Sequence, residues 1–160
     1  MIKILFVCHG NICRSPMAEF IMKDLVEKRG LSDRFYIAFA ATSSEEIWNG
    51  VGNPVYPPAK KMLASKGISC EGKRAVQMTR EDYSRYDYIL AAETANIRNI
   101  LRITGGDADQ KVKRLLDFSQ HPRDIADPWY TGDFHTTYND VLEGCTALLD
   151  HILESGSVRA

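Results

Sequence analysis

Apolar positions along the chain follow two rhythms. Ile2-Lys3-Ile4-Leu5-Phe6-Val7 is short, apolar and rich in β-branched residues. That pattern predicts a buried strand of a parallel sheet covered on both faces. Ser15-Pro16 follows, a cap residue and then a proline at the first helical position. Met17, Phe20, Ile21 and Leu25 recur at helical spacing, Lys28 and Arg29 occupy the last turn, and Gly30 stops the helix. A seven-residue loop separates this strand from this helix. Residues 35–40 predict a second strand. Residues 41–58 are a long polar stretch with Gly50, Gly52, Pro54, Pro57 and Pro58, and a loop of that length is more often functional than accidental. Pro57-Pro58 opens a helix running to about Lys66, which Gly67 ends. Residues 86–91 predict a strand, 94–102 a helix ending at Gly105-Gly106, and 112–116 a short strand. Phe134, Tyr138, Val141, Leu142, Cys145, Leu148, Leu149 and Ile152 form one apolar stripe on a long helix. Strands alternating with helices predict an α/β protein, an open, doubly wound parallel sheet flanked by helices.

The 160 residues fit a single domain over 1–160. Twenty Lys and Arg against twenty-one Asp and Glu leave a net charge of −1. No basic excess exists to replace phosphate counterions, so nucleic acid is not an expected partner. No apolar run approaches the ~20 residues of a membrane span, and the first residues are too short for a signal-peptide core. The expected setting is the cytoplasm, with Cys8, Cys13, Cys70 and Cys145 as thiols. No Cys/His grouping has zinc spacing, and no metal or cofactor is implied.

The loop after the first strand reads Cys8-His9-Gly10-Asn11-Ile12-Cys13-Arg14-Ser15. With eleven arginines in the chain, four cysteines give roughly a one in four chance that some Cys precedes an Arg by six residues, so spacing alone decides little. Placement decides more. Ligands of open α/β sheets bind at the carboxyl ends of the strands. A loop entering a helix N-terminus there aims its amides and the helix dipole at one point, an anion nest. Gly10 and Asn11 are residue types that tolerate the left-handed conformations such a nest uses. The same field favours the thiolate of Cys8. Arg14 offers a planar fork for two phosphate oxygens. Ser15 can both donate to a thiolate and cap the helix. These features predict a phosphate-binding loop after the first strand.

Val7-Cys8-His9-Gly10-Asn11-Ile12-Cys13-Arg14-Ser15-Pro16 resembles the signature of the low-molecular-weight protein tyrosine phosphatases. Asp127-Pro128-Trp129-Tyr130 resembles that family's general-acid motif, and weaker matches lie in order at Gly52-Asn53-Pro54, Thr79 to Tyr83 and Tyr86 to Leu90. The resemblance implies a metal-independent phosphatase of tyrosine-phosphorylated proteins. Cys8 is then the nucleophile, Arg14 the phosphate clamp and Asp127 the general acid and base. His9, Gly10, Asn11, Ile12, Cys13 and Ser15 form the phosphate loop. Trp48, Trp129 and Tyr130 are candidate walls for the phenyl ring, with Trp48 equally readable as a plug over the core. Cys13 is equally readable as a redox partner of Cys8 or as packing beneath the loop. Protonating a phenolate, whose conjugate acid has a pKa of ~10, is worth ~10²–10⁴ in rate, which is the chemistry Asp127 would supply.

The chain departs from the family pattern at Phe39, where a serine is common, and at Tyr56-Pro57-Pro58, Gly72 and Ala92-Glu93. These positions are expected to support the site and not to enter the reaction. Thiol-dependent arsenate reductases share the phosphate loop, but they need a further cysteine pair, and residues 73–92 contain none. A phosphotyrosine-binding member without catalysis is the other alternative.

Overall fold

The structure, a computed structural model, describes residues 1–10 and 12–156. Its strands are β1 (Ile2–Cys8), β2 (Phe35–Ala41), β3 (Ile47–Trp48), β4 (Val51–Gly52), β5 (Tyr88–Ala91) and β6 (Val112–Arg114). Its helices are α1 (Arg14–Lys28), α2 (Pro57–Ser65), α3 (Asp82–Arg85), α4 (Thr94–Thr104), α5 (Pro128–Thr131) and α6 (Phe134–Glu154). Four strands make a parallel sheet in the order β2-β1-β5-β6. The doubly wound parallel sheet expected from the alternation of elements is present.

β1 is central because both its faces are apolar. Ile4, Phe6 and Cys8 point into the cluster formed with α1 and α6, and Leu5 and Val7 into the cluster formed with α4, the two-residue alternation of a pleated strand. Phe6 pairs with Phe39 on one side and Leu90 on the other. Each fully buried large side chain such as Ile4, Phe6 or Met17 contributes roughly 1.5–3 kcal/mol. β2 lies on one side of β1 and β5 on the other, so the chain reverses its winding at β1, and a crevice opens at that strand's carboxyl end. No helix among the described residues is long and apolar enough to cross a membrane.

Several boundaries differ from expectation. α1 begins at Arg14 with Cys13 at its N-cap, so Ser15 lies inside the helix and is not the cap. The fifth strand starts at Tyr88 because Asp87 turns aside, its carboxylate and amide bonding Lys3. The last strand stops at Arg114, and residues Leu115–Phe118 form a 3-10 turn whose leucines pack under α6. The long polar stretch contains the hairpin β3–β4, closed by Asn49 and Gly50 with φ of 50° and 77°, the positive-φ pair that two-residue hairpins prefer.

Gly144, inside α6, faces Leu115, and a methyl group added there would lie 2.5 Å from its Cγ. Helix propensity favours alanine over glycine by about 1 kcal/mol, but overpacking a buried contact costs about 1–3 kcal/mol. The clash dominates because Leu115 is itself buried. Gly144→Ala is expected to lower the unfolding free energy by about 1 kcal/mol in urea at unchanged slope. A gain in stability would show that Leu115 moves aside freely.

Candidate active site

Loop 9–13 is clamped from outside by main-chain bonds. The Cys8 carbonyl accepts from Thr42 N at 3.1 Å, the His9 carbonyl from Ser43 N at 3.0 Å, and the Ile12 carbonyl from Tyr56 N at 2.8 Å. Cys8 Sγ lies 3.1 Å from Ser15 Oγ, and either atom can donate. The early start of α1 is what brings that hydroxyl over the sulfur. Asn11 lies outside the described residues. Gly10 does not take the left-handed conformation expected of it. Its missing side chain instead leaves room beside Glu46, whose Cγ a methyl would meet at 3.4 Å. Cys13 packs with Ile12 and Ala75. Burial, reinforced by the charges of Cys8 and Asp127, pushes its thiol up to about 12. It is a protonated side chain at neutral pH.

Arg14 is 3% exposed. Its Nη1 donates to the Ile125 carbonyl at 2.8 Å and lies 3.2 Å from Glu93 Oε2. Its Nη2 donates to Asp127 Oδ2 at 3.4 Å and to Glu93 Oε1 at 3.5 Å. Burial works against the guanidinium charge, but Cys8, Glu93 and Asp127 more than offset it and hold the group above its ordinary value.

Asp127 is the N-cap of α5. Its Oδ1 accepts from Trp129 N at 3.0 Å, which leaves Oδ2 toward Arg14. The segment that delivers it is fastened at three points. Ile125 N donates to the Ala92 carbonyl at 2.9 Å, and Ala92 N donates to the Val7 carbonyl at 3.1 Å. Asp124 Oδ1 accepts from Thr94 N and Thr94 Oγ1, both at 2.9 Å, and from Arg114 Nη1 at 3.1 Å. Arg123 reaches Asp140 at 2.8 Å and Glu143 at 3.0 Å on α6.

Between the loop and α5 lies an open cleft of about 130 Å³. Cys8, Arg14 and Asp127 all line it. On its rim His9 Nε2 pairs with Glu45 Oε1 at 3.1 Å, and Glu46 accepts from Asn53 Nδ2 at 2.6 Å. Trp129 and Tyr130 line it too, 52% and 85% exposed. Trp48 neither lines the cleft nor plugs the core. It stands 79% exposed on β3, because the hairpin turn beside it faces solvent. Among the described residues, no three His, Cys, Asp or Glu side chains gather closely enough to hold a metal.

A model of the family "Low molecular weight phosphotyrosine protein phosphatase" matches residues 3–158. The chain belongs to this family. It is 38% identical over 154 residues to the low molecular weight protein-tyrosine-phosphatase YfkJ of Bacillus subtilis, covering 95% of this chain and 96% of that protein. The YfkJ crystal structure superposes with a TM-score of 0.90 over 97% of this chain and 96% of that one. PtpA of Staphylococcus aureus, also named a low molecular weight protein-tyrosine-phosphatase, is 35% identical over 99% of each protein. A Drosophila arginine phosphatase structure is 29% identical with a TM-score of 0.82, covering 94% and 97% of the two chains. The family fold thus accommodates this chain over nearly its whole length.

In this member of the low molecular weight family, the sequence pattern did not reveal Asp124, Arg123 or the Glu45 partner of His9, and it marked Glu93 and Tyr56 as supporting positions without showing what they touch. Glu93 had a usable signal: it follows the strand beside β1 and immediately precedes α4, so it sits at the same sheet edge as Cys8. Arg123 and Asp124 had none, because their partners lie on elements joined only by the fold.

Partial burial opposes the Asp124 carboxylate, but the bonds from Thr94 and Arg114 outweigh it and hold the group below the ordinary aspartate range. A depressed carboxylate stabilises the fold above the unfolded value of about 3.9 and loses that contribution as pH falls through the lower folded value. Asp124→Asn is therefore expected to lower stability at pH 7 and to flatten its decline below about pH 4. Parallel acid-unfolding curves for the two proteins would exclude this role.

Proposed function

We propose that the protein hydrolyses phosphotyrosine in proteins, and simpler aryl phosphates, through a phosphocysteine intermediate. One observation carries this reading: Cys8, Arg14 and Asp127, spread over 120 positions of sequence, line a single cleft at the switch point of the sheet. Cys8 attacks phosphorus as the thiolate, and the S–P bond forms as the P–O bond to the phenol breaks. Asp127, in its acid form, gives its proton to the departing oxygen. A water molecule then gives a proton back to Asp127 and attacks the phosphocysteine, which releases phosphate and the thiolate. Arg14 holds the phosphoryl oxygens through both steps, and the loop amides share that charge. Ser15, 3.1 Å from the sulfur, stabilises the thiolate when it is the leaving group. Trp129 and Tyr130 flank the phenyl ring. No step calls on a metal or cofactor.

The arsenate reductase reading lacks support from the other thiols. Cys70 is buried, and Cys145 lies in the core with its Sγ 3.7 Å from the Ala18 carbonyl. The deciding measurement is hydrolysis of a phosphotyrosine peptide with and without a chelator, beside phosphoserine and phosphoarginine substrates. Phosphotyrosine turnover unaffected by the chelator is expected, and preference for another phosphoamino acid would overturn the assignment.

Cys8→Ser is expected to abolish turnover while inorganic phosphate still binds, since Arg14 and the loop amides remain. Steady-state hydrolysis above background in that variant would rule out the phosphocysteine. Arg14→Lys is expected to fail as well, because an ammonium lacks the two-pronged fork. Asp127→Asn is expected to slow esters of poor leaving groups by ~10²–10⁴ and activated esters far less. A uniform loss would make Asp127 a structural residue.

A further inference from the structure

Tyr56 touches both halves of the site. It lies where the long loop enters α2, with φ −56° and ψ 131°, and the following Pro57 stiffens that backbone. Its amide donates to the Ile12 carbonyl of the phosphate loop at 2.8 Å. Its ring packs at 4.7 Å and 50° on Trp129 and at 5.9 Å on Phe134. Trp129 lies within α5, and Phe134 follows it three residues after its end. Trp129 supplies the amide that holds the Asp127 carboxylate, and Phe134 begins α6.

α5 is poorly anchored otherwise. It has four residues, of which only Pro128 is buried. A single helical turn does not hold itself in place through its own backbone bonds, so its orientation depends on what its side chains touch. Ile125 and Asp124 secure the chain up to Asp127, and beyond that point the Tyr56 ring packs against Trp129, with the Phe134 ring as the other contact of Tyr56.

We infer that Tyr56 is a positioning residue, whose ring sets the acid-bearing turn of Asp127 at a fixed height over the phosphate loop that its own backbone grips. The inference rests on the phosphatase reading above and concerns one step of it, the transfer of the Asp127 proton to the aryl oxygen as the P–O bond breaks. Phosphate binding does not pass through the ring, because the two shorter contacts of Arg14, to the Ile125 carbonyl and to Glu93, do not involve α5.

The test compares kcat/KM on phenyl phosphate and on an activated nitrophenyl ester. Tyr56→Leu keeps apolar bulk and removes the ring, and Tyr56→Phe keeps the ring. Tyr56→Leu is expected to lose about three- to tenfold on phenyl phosphate and less than about twofold on the activated ester, with inhibition by inorganic phosphate unchanged and Tyr56→Phe behaving as the parent. Equal losses on both esters, weakened phosphate inhibition, or no loss would each overturn the inference while leaving the phosphatase reading intact. If the parent hydrolyses neither ester, that reading is what fails. The emission of Trp129 in a Trp48→Phe background then decides the coupling alone. A red shift and stronger acrylamide quenching in Tyr56→Leu, absent in Tyr56→Phe, are expected, and unchanged emission overturns it.

Discussion

The site is organised around one buried cation. A guanidinium taken out of water costs several kcal/mol unless its hydrogen bonds and charge are satisfied, and Arg14 meets that demand with three groups from two distant segments. The Ile125 carbonyl, the Glu93 carboxylate and the Asp127 carboxylate all converge on it. Each partner is in turn tied to the sheet: Ala92, beside Glu93, bonds both Val7 and Ile125. Satisfying the cation therefore assembles the cleft. The position of Arg14 in the first turn of α1 adds to the demand, because a positive charge opposes the helix dipole there. The same unfavourable placement makes an arriving anion welcome.

The parallel sheet supplies the convergence. Cys8 ends β1, Glu93 lies just past the end of β5, and the loop that follows β6 and its 3-10 turn carries Asp124 back to bond Arg114, so three carboxyl ends deliver their loops to one edge. β1 stays in place because its alternating faces fill two separate apolar clusters. A one-residue slip of that strand would exchange the two faces and turn Cys8 away from Ser15. Strand burial and the placement of Cys8 in the cleft are thus the same constraint.

That division explains what the chain disclosed when read as a sequence. The strand and helix around Cys8 were legible because their signals are local, an apolar run and a proline near a helix start, although α1 begins two residues before that proline. The α6 stripe was legible for the same reason. Asp127 was legible only through resemblance to a known motif, since an aspartate before proline has many ordinary uses. The supports of Asp127 were not legible, because the value of Asp124 or Arg123 depends on Thr94, Arg114, Asp140 and Glu143, none of them within a helical turn. Glu93 was expected only to support the site, yet it lies directly against Arg14.

Phe39 shows how such a departure is absorbed. Its ring is buried in the core under α1, and Lys73 Nζ lies 5.0 Å from the ring centroid and 3.3 Å from Glu19 Oε2. Glu19 is fully buried on α1 and also takes Lys23 at 2.7 Å. A carboxylate in that position would destabilise the helix unless cations reached it, and the aromatic face gives one of those cations a second partner. Phe39, Lys73 and Glu19 thus link β2, the loop at residue 73 and α1. That unit fixes α1 against the sheet beneath the loop that follows Cys8. On the proposed phosphatase reading the groups that line the cleft have less freedom, since Arg14, Cys8 and Asp127 must all reach one phosphoryl group.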